Sequence, residues 1–196
     1  MISGALRLAS KYDFPELRQW TIARLTEWWP HLELIPSIPL TPVPLPHASA
    51  IVLARETDVT ELLPAAFYGL ATVRWRGTRD GGDAQDLLVP TDLRRVIVGK
   101  EGLQDLMDEF RDSMDRANIV ANPNDPHHWC YVTLERRWHQ AFIRSPGAEV
   151  CLLRVLQEMA SENISSACDT HLRWHREMAR TRLERVIAVI PGLFSL

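Results

Sequence analysis

Apolar residues recur every three to four positions through most of this chain, and strand-like alternation is scarce, so the pattern predicts an all-α fold. In "ALRLASKYD", Leu6, Leu8, Ala9 and Tyr12 form a short apolar helical face that stops near Asp13. Pro15 suits the first turn of a following helix, where its missing N–H costs nothing. Leu17, Ile22, Leu25 and Trp28 or Trp29 carry that helix to Pro30. Two helices joined by a tight corner are therefore predicted over 1–30. "IPSIPLTPVPLP" follows, and its prolines exclude helix and central strand, which predicts an extended Pro-rich strap or linker over 31–46.

A second helical region is predicted over 47–120. Ala50, Ile51, Leu53 and Ala54 lead to a turn near Thr57–Asp58, after which Thr60 is expected to cap a helix with Pro64 in its first turn. "RGTRDGGDAQD" then reads as a solvated loop. Its Asp80, Asp83 and Asp86 lack the order and the closing Glu of a calcium loop. Thr91 is expected to cap a long helix whose apolar positions run through Leu93, Val96, Ile97, Leu103, Leu106, Met107, Phe110 and Met114. "NPNDP" breaks the chain, and a C-terminal three-helix region is predicted over 121–196. The architecture expected is a multi-helix array of short amphipathic helices crossed by a Pro-rich strap.

Composition narrows the function classes. The chain has 196 residues, 46% hydrophobic and 24% charged, ordinary values for a globular protein with a proper core. A net charge of −3, with Arg scattered among Asp and Glu, argues against nucleic acid and against a membrane surface. No apolar run approaches the roughly 20 residues that span a bilayer, and "MISGALRLASKYD" has no basic n-region, so no secretory signal is expected. Three cysteines, an odd and sparse set, fit a reducing compartment, and an intracellular protein of cytoplasm or nucleus is expected.

No nucleophile elbow, zincin, P-loop or dinucleotide motif occurs, and the acidic residues lie on helix faces beside Arg, so no enzymatic activity is expected. The seven Trp residues are expected mostly in the core, filling gaps between short helices. One short run stands out. In "CDTHLRWH", Cys168, His171 and His175 share one helical face at about 100° per residue. Either they hold a metal, or they belong to the buried stripe that also carries Ile164, Leu172, Ala179, Val186 and Ile190.

Several blocks, in order, resemble the C-terminal portion of fungal BTB/POZ-domain proteins. "LRLASKYDFPELRQWTIARL" resembles the last helical hairpin of a BTB domain. "AIVLARETDVTELLPAAFYGLA", "LRRVIVGKEGL" and "PGLFSL" resemble characteristic later blocks. The resemblance implies a non-catalytic protein-interaction or scaffold module with protein partners. Its BTB dimerisation strands and most of its cullin-binding surface are not in this sequence, so neither BTB-type dimerisation nor cullin binding is expected. The similar proteins often carry C-x-x-C at the place of "CDTH", with a further Cys or Cys pair upstream. On that likeness Cys168 and His171 fill the C-x-x-C positions, and "HHWC" supplies Cys130 with His127 or, alternatively, His128. His175 is an alternative fourth ligand. Thiolate and imidazole are interchangeable around zinc, so the resemblance implies a structural zinc site and no other cofactor. A competing reading is an intracellular metal-dependent enzyme using the same cluster, with Glu135 or Glu177 as acid or base.

Overall fold

The computed structural model describes residues 2–37, 45–73, 86–118, 127–143, 152–165 and 167–196. Among them are eight α-helices and no strand: α1 (Ile2–Lys11), α2 (Pro15–Thr26), α3 (His47–Glu56), α4 (Leu63–Thr72), α5 (Pro90–Asn118), α6 (His128–Ile143), α7 (Leu152–Ser161) and α8 (Asp169–Leu193). Short 3₁₀ turns at Leu32–Ser37 and Thr60–Leu62 complete the set. The all-α expectation holds. Residues 38–44 of the Pro-rich strap, the Gly/Asp-rich loop up to residue 85, "NPNDP", Trp75 and Cys151 lie outside the described residues. No described helix is long and apolar enough to cross a membrane. The chain divides into two compact units, residues 1–100 with 190–196, and residues 101–189.

In the first unit, α1 and α2 form one hairpin and α3 and α4 another, and both turn on the same corner. α1 ends with Asp13 in the left-handed region (φ 54°), and the Phe14 N–H donates to the Ala9 carbonyl at 2.9 Å. α3 ends with Asp58 at φ 53°, and the Val59 N–H donates to the Ala54 carbonyl at 2.9 Å. This is the Schellman closure, in which an apolar residue follows the left-handed one and satisfies a carbonyl left open at the helix end. The sequence carries it twice as Leu-Ala-x-x-x-Asp-x-x-Glu-Leu, at Leu8–Leu17 and Leu53–Leu62. The hairpins are tied together at these corners. Arg18 donates to the carbonyls of Thr57 and Asp58 at 3.2 and 3.4 Å, and Arg7 pairs with Glu56 at 2.6 Å.

Leu6, Leu25, Ile51, Leu53, Phe67 and Leu70 are fully buried in this unit. Phe194 packs on Phe67 and closely covers Gly99, where any side chain would overlap its ring. Two expected caps are corrected. Thr60 opens the 3₁₀ turn rather than capping α4, because the Asp58 corner leaves the chain tightly wound; α4 starts at Leu63 with Pro64 in its first turn. Thr91 lies inside α5, which starts at Pro90. The first-turn residue that is buried is Asp92, held by Arg55 at 3.0 Å and Arg95 at 2.7 Å. The face predicted for α1 also rotates: Leu6 and Ala9 are buried, whereas Leu8 and Tyr12 are exposed, as are Phe14, Leu17 and Trp20.

In the second unit, Cys130, Leu134 and Trp138 lie on one stripe of α6, and Leu172, His175, Ala179, Leu183 and Val186 on one stripe of α8. Three- and four-residue steps place both stripes inward. The Trp138 indole N–H donates to His175 Nδ1 at 3.1 Å. Neutral histidine then carries its proton on Nε2, and that buried atom has no hydrogen-bond partner among the described residues. Burial lowers the His175 pKa from its ordinary value, Arg137 and Arg176 add to this, and Glu162 opposes it. Arg182 stacks over Trp138 (4.5 Å) and Phe110 (5.1 Å), and its burial there brings its pKa down to about 10. The expectation that most Trp residues are core is corrected. Trp29 and Trp138 are buried, but Trp20, Trp129 and Trp174 are exposed. An amphipathic indole covers half-polar surface as readily as it fills a gap.

Candidate metal centre

Two helix starts build this site. His127 immediately precedes α6, and its carbonyl accepts the Cys130 N–H at 2.9 Å; Cys168 immediately precedes α8, and its carbonyl accepts the Leu172 N–H at 2.9 Å. His127 and Cys168 therefore stand at N-cap positions, and Cys130 and His171 three residues on. Side chains at those two positions of a helix naturally meet, which is the geometry behind the capping box. Here the two pairs run His-then-Cys and Cys-then-His. The starts of α6 and α8 bring them face to face.

The four ligand atoms all lie within 4.8 Å of one another. Cys168 Sγ is 3.0 Å from His171 Nδ1 and 3.6 Å from His127 Nδ1. The Cys168 N–H donates to Cys130 Sγ at 3.4 Å, and the two imidazole rings are 4.9 Å apart. Zinc bonds of about 2.3 Å to sulfur and about 2.0 Å to nitrogen, at tetrahedral angles, imply ligand separations of roughly 3.3–3.8 Å. The observed contacts fall around that range, so these residues could hold a metal ion with only small side-chain rotations. Both cysteines are free thiols. The electropositive starts of two helices suit a cluster of electron-rich sulfur ligands.

All four residues proposed first as ligands come together. The alternatives do not. His175, one turn beyond His171, is fully buried against Trp138, so the shared helical face splits into an outer metal-side turn and an inner core turn. The His128 ring lies edge-on to Trp129, and its Nδ1 has no hydrogen-bond partner among the described residues. The two readings of "CDTHLRWH" thus fall on different turns of one helix, Cys168 and His171 in a group that could hold a metal ion and His175 in the core. Sequence reasoning missed Tyr131, whose ring stands at 81° to the His171 ring with centroids 4.6 Å apart. Its adjacency to Cys130 was the available signal. Burial is graded across the site: Cys130 is buried, Cys168 and His171 are half-buried and His127 is exposed.

The two acids considered for catalysis have partners on their own helices. Glu135 lies 3.6 Å from His139, one turn along its own helix, and Glu177 pairs with Arg180 at 3.5 Å on the surface. Comparison with protein families, curated proteins and solved structures finds no match for this chain.

Proposed function

We propose that this protein is a non-catalytic helical interaction module whose second unit is pinned by a structural zinc ion on His127, Cys130, Cys168 and His171. The observation that carries the reading is the convergence of two N-cap pairs on one point. Four protein ligands fill a tetrahedral shell and leave no position for a reacting water, which is the mark of a structural rather than a catalytic zinc. Cys₂His₂ chemistry favours zinc over the hard cations, which prefer oxygen.

The interaction role draws support from the apolar residues that the first unit leaves exposed, Leu8, Tyr12, Phe14, Leu17 and Trp20. Surfaces of that kind on a folded chain commonly serve as protein-binding sites. The sequence resemblance to the tail of fungal BTB/POZ proteins points the same way. Metal analysis of the purified chain tests the zinc reading: one zinc per chain is expected, lost in Cys130→Ser and in Cys168→Ser but not in Cys151→Ser. Sub-stoichiometric zinc that these substitutions leave unchanged would overturn it. Turnover in a broad hydrolase screen, abolished by Glu135→Gln or Glu177→Gln, would instead establish the metalloenzyme reading.

A further inference from the structure

We infer that the zinc site is also a peroxide-responsive switch, in which Cys168 is oxidised first and Cys130 closes a disulfide that expels the metal. This rests on the zinc reading above and adds a regulation to the same four residues. Three features carry it. The first is proximity. The two sulfurs belong to one group of ligand atoms within 4.8 Å, and the backbone nitrogen of Cys168 is 3.4 Å from Cys130 Sγ.

The second feature is freedom to move. Cys168 stands just outside α8, at its N-cap, so its side chain can rotate without breaking a helical hydrogen bond, while its carbonyl keeps accepting the Leu172 N–H. The third is unequal access. Cys168 is half-buried beside the exposed His127, whereas Cys130 is 8% exposed. An oxidant arriving from solvent meets Cys168 sulfur first, and Cys130 waits behind it.

The chemistry balances with a hydroperoxide as oxidant. The Cys168 thiolate attacks the peroxide oxygen, the O–O bond breaks, and a sulfenic acid forms while the departing hydroxide takes a proton to become water. The Cys130 thiolate then attacks the Cys168 sulfur, and the S–S bond forms as the S–O bond breaks and a second water leaves. Two thiolates lose two electrons in all, and hydrogen peroxide with two protons becomes two waters. With both sulfurs consumed, His127 and His171 alone cannot complete a zinc shell. Reduction by a dithiol restores the thiolates and the site.

The test uses the full chain loaded with zinc, with metal content measured before any oxidant is added. Hydrogen peroxide in molar excess should release one zinc per chain with the loss of two thiols. Peptide mapping should show a Cys130–Cys168 bridge, and dithiothreitol plus zinc should reverse every change. In Cys130→Ala the sulfenic acid should be trapped on Cys168 by dimedone. Zinc retained while thiols are consumed, a bridge through Cys151, or sulfinic acid without a bridge would each overturn the switch and leave the zinc reading standing. Absence of zinc before oxidation would overturn both.

Discussion

Replacing Trp138 by Phe isolates the polar node at the centre of the second unit. The indole is fully buried, donates to His175 Nδ1 at 3.1 Å and lies under the Arg182 guanidinium. Phenylalanine keeps an aromatic face for Arg182, so most of the cation–π attraction survives and only about 0.5 kcal/mol is lost there. The smaller ring leaves roughly 40 Å³ unfilled, worth about 1 kcal/mol if the site does not collapse. The largest loss is electrostatic. His175 Nε2 has no partner among the described residues, so removing the indole donor leaves both ring nitrogens buried without one there, at about 1–3 kcal/mol. The total is ~3 kcal/mol, equivalent to a fall in Tm of about 6–12 °C for a chain of this size. Urea denaturation followed by far-UV circular dichroism measures it. A double-mutant cycle with His175→Leu then separates the terms: the double variant should lose about 1–2 kcal/mol less than the sum of the single losses. Additive losses would show that the indole–imidazole hydrogen bond contributes nothing and that only ring volume matters.

Three further outcomes follow from other contacts. The depressed His175 pKa means that the unfolded chain takes up this proton first as the pH falls below about 6.5, so stability is present above that value and declines toward the folded pKa; wild type should lose more stability with acid than His175→Leu, and parallel urea-midpoint profiles against pH would refute this. Gly99→Ala should destabilise by about 1–3 kcal/mol in thermal melts despite the better helix propensity of alanine, because its methyl group overlaps the buried Phe194 ring; a stabilised variant would show that this ring moves aside freely. Asp92→Asn should cost about 1–3 kcal/mol in urea denaturation, since it removes the charge that Arg55 and Arg95 share, and unchanged stability in low salt would contradict that role.

Much of this molecule is legible in its sequence, and the exceptions share a cause. Helical spacing gives the helices, and Pro15 and Pro64 mark two first turns because proline's fixed φ suits a helix start and its missing N–H costs nothing there. In the candidate site, Cys168 and His171 are legible because thiol and imidazole at three-residue spacing are rare letters in an otherwise amphipathic run, whereas His127 and Cys130 entered only through the family resemblance. Which face of a helix turns inward is less legible. Leu8 and Tyr12 satisfy the same periodicity as Leu6 and Ala9, and only contact with α2 and α3 decides between them. Thr60 and Thr91 fail as caps for a related reason: local preference yields where a tertiary partner fixes the chain, at the Asp58 corner and at the buried Asp92. Cys168 and His175, seven residues apart on nearly one face, meet surface and core respectively, a difference of depth that periodicity does not encode.

The twin corners bear on how such a chain can change over time. Each left-handed aspartate sets the exit of its hairpin through its own ten-residue segment, and the closing hydrogen bond is internal to that segment. A segment that specifies its own bend can be copied, exchanged or moved as a unit without redesigning the helices on either side. The link between the two copies is different: Arg18, just past the first segment, reaches the backbone oxygens of the second. Backbone oxygens are present whatever side chains occupy those positions. The two hairpins can therefore drift apart in composition while the tie between them is inherited intact.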